Sequence, residues 1–467
     1  MKTLFPPNFN WPIFILITII IRVLFIEMGW LSYLAIILSL HQFIVLFNSI
    51  GYVIPVRYLL GSFMCVQFFI GPAFAFNGLD QYQVPIYRMK IPEVEYFGYA
   101  IPAVLSFIVG LHVFADKLNG EIVNEKGIIL FVDKNPKLPY IFIFIGFIAS
   151  VFSSFFGSDL AFVFYLLGSF KFIGLFLLIL GTKAIKILPL ILVIGSIVSS
   201  SLGDGMFHDL LTWIIFTGSV FAIKYKFTFK TKLLGCLAFV LLAVTIQVLK
   251  GSYRAATGSG GEEVGIETAS KVFEKQNENS SIFSFENLAP SNVRISQGFI
   301  ITNIMKTVPD RIPFSNGGEM YQILEAAILP RVLAPNKLSA GDRTLFTRYS
   351  GIQLRSGTSM GLSSLGDAYI NYGIYGGCFF MFLLGLLYSW VLNVFFRQSR
   401  KYPILILFVA LVFYYPIRPD CELQTILGHL FKSCFLIAFM IYCFKDTFKT
   451  VTFRKVNINS AVGLRKQ

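Results

Sequence analysis

Long apolar runs separated by short polar connections dominate the chain from Phe9 onward. A membrane-spanning helix needs about 20 consecutive apolar residues. The apolar sequence from Phe9 to Ser49 is interrupted at Glu27 to Trp30, which predicts a tight hairpin between the first two spans. In all we predict twelve spans, near 12–28, 30–49, 55–75, 97–115, 139–156, 159–180, 186–202, 207–223, 233–250, 366–395, 402–416 and 425–444.

Composition indicates lipid rather than water as the main surroundings of this chain. Of the 467 residues, 55% are hydrophobic and only 14% are charged, which is more apolar surface than a soluble fold hides. A formal net charge of +14 would suggest a nucleic-acid partner in a soluble protein. Here Lys and Arg lie between the apolar runs, where they set orientation, and we expect no nucleic-acid partner. The six Cys show no paired spacing, so we expect no metal and no cofactor.

The basic connections predict the orientation of the spans. Segments 224–232 and 396–401 and the tail 446–467 carry Lys and Arg, and 116–138 holds four Lys. If these are cytoplasmic, the twelve spans alternate without conflict and both termini lie inside. The chain then divides into nine helices over 1–250, a large external loop over 251–362, three helices over 363–445, and the basic tail.

The loop 251–362 is too long for a plain connection. Its first part, Gly258 to Ser281, is rich in Gly, Ser, Glu and Asn, and we predict it to be flexible. Amphipathic patterns predict one short helix beginning at Arg294 and another from Glu319 to Leu329, stopped by Pro330. Such helices are typical of elements that lie in the membrane interface, where they could cap a cavity between the spans.

Arginines are concentrated in this loop, which holds seven Arg and four Lys. The planar guanidinium group binds phosphate oxygens in pairs, so a cluster of Arg at the membrane surface suits a lipid diphosphate. The alternative is that these Arg bind lipid headgroups or pair with Glu319, Glu325 and Asp342. The candidates fall within 25 residues of one another: Arg331, Arg343, Arg348 and Arg355.

Other polar residues lie where predicted spans meet the outside. Asp367 shares one helix face with Ser363 and Asn371, and either acts in a site or caps the start of its helix. His208 opens a span at the outer face. Arg418 lies in a short external turn with Asp420 and Glu422.

The segments Pro330 to Lys337 and Gly366 to Gly373, together with many spans and a large late loop, resemble Wzy-type O-antigen and exopolysaccharide repeat-unit polymerases. That family also carries an Arg-x10-Gly pattern in external loops, which Arg355 with Gly366 and Arg254 with Gly265 match. The resemblance implies an all-α, GT-C-like membrane glycosyltransferase in the bacterial inner membrane that needs no metal. Its implied partners are undecaprenyl-diphosphate-linked glycan donor and acceptor, membrane lipid and a chain-length regulator protein.

On this hypothesis the external Arg stabilise the diphosphate leaving group, because its negative charge grows as the glycosidic bond breaks. We predict Arg331, Arg343, Arg348 and Arg355 for this role, with Arg418 as a further contributor. The acceptor hydroxyl needs a general base, for which the candidates in falling order are Asp367, Glu319 and His208. A lipid-linked oligosaccharide flippase and an O-antigen ligase remain open as alternatives.

Overall fold

A computed structural model describes residues 3–6, 9–115, 121–152, 155, 158–205, 207–258, 265–279, 285–330, 333–354 and 360–449. The named elements within these ranges are all helices. In chain order the α-helices are α1 Trp11–Leu24, α2 Trp30–Ser49, α3 Val56–Cys65, α4 Gly71–Phe76, α5 Glu93–His112, α6 Glu125–Lys134, α7 Leu138–Phe152, α8 Ser158–Gly168, α9 Phe170–Gly181, α10 Ile187–Asp204, α11 His208–Tyr225, α12 Phe229–Gly258, α13 Ile266–Asn279, α14 Phe285–Ile295, α15 Gly298–Thr307, α16 Gly318–Ile328, α17 Arg343–Ser350, α18 Ser363–Gln398, α19 Leu405–Val412, α20 Leu423–Cys443 and α21 Lys445–Phe448.

Seven described helical segments are long and apolar enough to cross a membrane. An eighth results if α6 and α7, which meet at an angle of 85°, count as one broken span. Two shorter apolar helices, Trp11–Leu24 and Ile187–Gly203, accompany them. The seven segments are Trp30–Ser49, Val56–Phe76, Glu93–His112, Phe162–Gly181, Phe229–Lys250, Ser363–Gln398 and Leu423–Cys443. The chain is therefore an all-α membrane protein.

Each predicted span overlaps one or two helices, but the span predicted at 402–416 is shorter than expected. Only Leu405–Val412 is helical there, and eight residues rise about 12 Å. Pro403 and Pro416 flank the helix, and a helix rarely continues through a proline. Every residue of α19 is buried, so protein surrounds this short segment on all sides.

The longest helix, α18, packs closely along α5. A Cβ atom added at Gly385 would collide with the backbone carbonyl of Phe107, and one added at Gly110 would collide with the carbonyl of Phe382. Only a residue without a side chain permits this approach, which is how small residues tighten packing between helices in membranes.

Within α18 the backbone leaves the helical conformation at Gly373, where φ is 64° and ψ is −159°. The positive φ explains why glycine occupies this position. The backbone N–H of Ser315 donates to the carbonyl of Ile370 at 2.9 Å, so loop 251–362 supplies a hydrogen bond beside the break. Gly373 therefore bends the helix, and Gly377, about one turn further on, packs against Tyr99.

The described part of loop 251–362 is more helical than its sequence suggests. The segment predicted to be flexible contains α13, in which Thr268 and Val272, four residues apart, are buried on one face. The predicted helix from Glu319 is confirmed as α16. The helix predicted from Arg294 is wrong in its extent, because α14 ends at Ile295 and α15 begins only at Gly298.

Candidate functional site

The span that begins with α3 is interrupted by a π-helical turn, Val66–Ile70, before it continues as α4. Pro72 has no N–H to donate to the carbonyl of Phe68, and that carbonyl instead accepts the hydroxyl of Tyr96 at 2.9 Å. The N–H of Gly71 donates to Val66, which leaves the carbonyl of Gln67 without its ordinary helical partner. Turns of this kind occur frequently at functional sites.

Loop 251–362 docks onto this π turn. The backbone N–H of Gln297 donates to the carbonyl of Gln67 at 3.0 Å, and Asn292 Nδ2 donates to the carbonyl of Gly71 at 2.9 Å. A Cβ atom added at Gly71 would lie 2.5 Å from Cβ of Ser296, so the two backbones touch. Arg294 lies between Asn292 and Gln297 in the sequence, so these two contacts fix the position of its backbone.

Beside the docked segment lies a cavity of about 1150 Å³. Its apolar wall comes from the α1–α2 connection, from α3 and from α12, and includes Phe25, Phe63, Ile70, Phe239 and Val244. Its polar and charged lining includes Gln67, Asn77, His208, Gln247, Asn292, Arg294, Arg418 and Asp420. A large apolar wall beside a few charged groups suits a ligand that has both a lipid part and an anionic part.

A charged cluster forms one wall of this cavity. His208 Nε2 lies 2.6 Å from Asp209 Oδ1, and Arg418 Nη1 lies 3.9 Å from the same oxygen. Arg418 Nη2 lies 3.6 Å from Asp420 Oδ2, and its guanidinium group sits 5.2 Å from the ring centre of Tyr415. The Arg418 side chain is only 16% exposed, so these contacts hold it in a defined position. Two sequence-predicted residues, His208 and Arg418, thus meet in one site.

Glu319 lies elsewhere, in a separate network of loop 251–362. Its Oε1 accepts the hydroxyl of Tyr349 at 2.9 Å and lies 3.4 Å from Arg348 Nη1. Burial, followed by the hydrogen bond to this carboxylate, raises the pKa of Tyr349 to about 12. The alternative that Arg348 pairs with Glu319 is therefore confirmed. The Arg348 side chain is 58% exposed and does not line the cavity.

Asp367 lies in a third place, together with Asp342 and Glu422, around a pocket of about 20 Å³ that has room for one water molecule. Asp367 accepts a hydrogen bond from the backbone N–H of Leu423, the first residue of α20. The idea that Asp367 caps its own helix is wrong, because α18 begins four residues earlier, at Ser363. It stabilises the start of α20 instead.

The other two carboxylates of this pocket are also engaged. Glu422 Oε2 accepts from the N–H of Gly341 at 2.9 Å, and burial raises the pKa of Glu422. Asp342 Oδ1 accepts from the N–H of Thr344 at 2.8 Å and so caps α17. Among the described residues no group of three His, Cys, Asp or Glu is placed to hold a metal ion.

The predicted arginine cluster does not form one site in the described part of the chain. Arg343 begins α17 as an exposed residue, and neither it nor Arg348 lines the cavity. Arg331 and Arg355 lie outside the described residues. The sequence analysis missed Arg294 and Gln67 as lining residues. The run of polar residues around Arg294, which includes Asn292, Ser296 and Gln297, was the available signal.

One protein family matches residues 93–399, and its description is Domain of unknown function (DUF8712). The match covers about two thirds of the chain. The chain belongs to this family. No curated protein matches it, and no solved structure does.

The DUF8712 match runs from the start of α5 to the end of α18. It includes His208 and Arg294 but neither Gln67 nor Arg418. The cavity is therefore assembled from residues inside the DUF8712 region, from helices before it and from the turn between α19 and α20 after it.

Proposed function

We propose that this protein is a membrane glycosyltransferase that polymerises undecaprenyl-diphosphate-linked repeat units on the outer face of the bacterial inner membrane. The observation that carries the proposal is the cavity, in which Arg294, Arg418 and His208 come together from three distant parts of the chain beside a broad apolar wall. The Arg suit a diphosphate, the apolar wall suits the lipid next to it, and the imidazole suits proton transfer.

In this proposal Arg294 and Arg418 bind the diphosphate of the donor. The acceptor hydroxyl oxygen attacks the anomeric carbon of the donor sugar, and the bond from that carbon to the diphosphate oxygen breaks. The leaving diphosphate gains negative charge as the bond breaks, so fixed guanidinium groups stabilise the transition state more than the ground state. The released carrier departs as the diphosphate.

His208 is the general base that we favour, in place of Asp367 and Glu319. It lines the cavity, whereas Asp367 borders a pocket too small for a sugar and Glu319 already accepts two hydrogen bonds. Asp209 lies 2.6 Å from His208 Nε2 and would stabilise the imidazolium ion that forms when His208 takes the proton of the acceptor hydroxyl. Asp209 is then a positioning residue.

The membrane arrangement that accompanies this function has twelve passes, a GT-C-like architecture and both termini in the cytoplasm. The basic connections favour this orientation. The chain can cross the membrane at α19 although this helix is short. Partly irregular backbone is tolerated at membrane depth where protein surrounds it. On α16 the exposed Tyr321 and Ile328 oppose the buried Met320 and Ile323, which suits a helix lying in the interface.

The test is a polymer ladder assay in cells whose own polymerase gene is replaced by this chain, with membrane levels checked by immunoblot. Arg294→Ala, Arg418→Ala and His208→Ala should leave single repeat units. Arg348→Ala is the matched control, since this Arg belongs to the same loop as Arg294 but lies away from the cavity, and its ladder should be unchanged. A full ladder from Arg294→Ala and Arg418→Ala, or loss only in Arg348→Ala, would overturn the assignment.

Purified protein distinguishes the rival functions when it is incubated with carrier-linked repeat units and no nucleotide sugar. Chain growth supports the polymerase. Transfer of the glycan to a lipid A core acceptor instead identifies a ligase, which shares the donor. Movement of the carrier-linked unit across a vesicle membrane without new glycosidic bonds identifies a flippase.

A further inference from the structure

Two amide side chains of the cavity have oxygens that find no hydrogen-bond partner among the described residues. Gln67, on the π turn, and Gln247, on α12, both line the cavity, and the Oε1 atom of each is buried and unpartnered. Buried carbonyl oxygens are nearly always hydrogen-bonded in folded proteins, so two of them in one cavity require an explanation. A ligand that donates hydrogen bonds provides one.

The orientation of the Gln67 amide is fixed by its neighbours. Gln67 Nε2 donates to Asp420 Oδ1 at 3.3 Å. An ionised carboxylate can only accept, so the nitrogen must face Asp420 and the oxygen must point elsewhere. The backbone carbonyl of Gln67 is held by Gln297, which restricts the residue further.

Asp420 also connects this amide to the proposed diphosphate ligand. Its second oxygen, Oδ2, lies 3.6 Å from Arg418 Nη2. The Asp420 carboxylate therefore contacts both Arg418, whose guanidinium group suits phosphate, and the amide of Gln67, whose oxygen needs a hydrogen-bond donor. A diphosphate has only acceptor oxygens at neutral pH, so it cannot satisfy Gln67 Oε1 or Gln247 Oε1. The group next to the diphosphate must carry O–H or N–H groups.

We propose that Gln67 and Gln247 form a saccharide subsite that accepts hydrogen bonds from hydroxyl or acylamino groups of the sugar attached to the lipid diphosphate. Asp420 is the positioning residue that holds this subsite beside Arg418. The inference rests on the proposed function, because it takes the ligand to be a glycosylated lipid diphosphate. It adds the recognition of the first sugar, which that function does not specify.

The test is a binding measurement on the purified full-length chain in lipid nanodiscs with two probes. One probe is a short-chain isoprenyl diphosphate, and the other is the same lipid diphosphate carrying a single N-acetylhexosamine. Gln67→Met and Gln247→Met remove the acceptor oxygen at similar volume. Each should weaken the sugar-bearing probe about five- to tenfold, as expected for one lost hydrogen bond, and leave the sugar-free probe unchanged. Gln398→Met, an exposed site at the far end of α18, is the matched control and should change neither.

Two variants of Asp420 distinguish a positioning role from general damage to the fold. Asp420→Ala should lose the sugar-dependent gain in affinity, and Asp420→Asn should retain it, because an amide oxygen still accepts from Gln67 Nε2. Equal weakening of both probes in Gln67→Met would mean that Gln67 only supports the fold, and it would overturn the subsite. So would equal affinity of the unaltered protein for the two probes.

The two proposals fail in distinguishable ways. If neither probe binds the unaltered protein, the proposed function and the subsite fall together. If the sugar-bearing probe binds more tightly and Gln67→Met removes the difference while purified protein makes no polymer, the subsite stands and the polymerase assignment fails.

Discussion

Replacement of Gly71 by Ala tests whether loop 251–362 is held on the π turn. The backbone of Gly71 is helical, so the substitution places no strain on φ or ψ, and any effect comes from space. The new Cβ atom would lie 2.5 Å from Cβ and 2.8 Å from Cα of Ser296. The second atom belongs to the backbone, so a change of rotamer cannot relieve the overlap. The loop must move away.

The magnitude follows from the contacts that this movement breaks. The Asn292–Gly71 and Gln297–Gln67 hydrogen bonds contribute about 1 kcal/mol each, and overpacking adds about 1–3 kcal/mol. The better helix propensity of Ala reduces this loss of stability by about 1 kcal/mol. The docked loop should therefore lose about 2–4 kcal/mol, which raises the population of its open form about 30- to 1000-fold.

Limited proteolysis in detergent measures this directly, because cleavage follows the open population when the loop opens and closes faster than the protease cuts. Cleavage within residues 285–330 should accelerate by about that factor, and polymerisation should fall as Arg294 loses its position. Gly98→Ala is the matched control: Gly98 lies exposed in α5, and nothing lies within 4 Å of its added Cβ atom. Equal cleavage rates in the two variants would refute the docking.

Three further predictions concern other parts of the molecule. Tyr349→Phe removes the hydroxyl that donates to Glu319 and should lower the free energy of unfolding, measured by denaturation, by about 1–3 kcal/mol. Arg348→Ala loses only an exposed ion pair and should lower it by less than about 1 kcal/mol. Equal losses in the two variants would contradict this. Burial raises the pKa of Glu422, so the folded chain binds the proton of this carboxyl group more tightly than the unfolded chain does. The protonated carboxyl group therefore stabilises the fold fully below the unfolded pKa, and this stabilisation is lost as pH rises through the folded pKa. The melting temperature of Glu422→Gln should therefore fall less than that of the unaltered protein from about pH 4 to about pH 7, and parallel curves would show that Glu422 is not responsible. Cys443 is exposed at the end of α20, so a membrane-impermeant maleimide should label it only after the cells are permeabilised; labelling of intact cells would reverse the proposed orientation.

The helices were largely predictable because lipid imposes a simple rule. Each apolar run must satisfy its own backbone hydrogen bonds, and the α-helix does so locally. The helix α16 was predictable for a similar reason, since an amphipathic pattern and Pro330 mark its face and its end. The prediction failed at α13, where composition suggested a flexible chain, and at 402–416, where a long apolar run forms only the short helix α19.

The candidate site was predictable only in part. His208 and Arg418 were identified because charged residues at the ends of apolar spans are few and costly. The choice of Asp367 and Glu319 as leading bases relied on residue type and on neighbours in the sequence. Neither reveals that Glu319 accepts from Tyr349 or that Asp367 stabilises the start of α20.

The sequence by itself determined the class of this protein and most of its helices, because hydropathy acts locally and is written residue by residue. Only the tertiary structure decided which charges share a cavity. Arg294, Arg418 and Gln67 are separated by more than a hundred residues. Arg294 reaches the cavity because the π turn frees the carbonyl of Gln67, on which the loop docks through Gln297. The proximity of these residues depends on packing between distant segments, which a local sequence pattern does not predict.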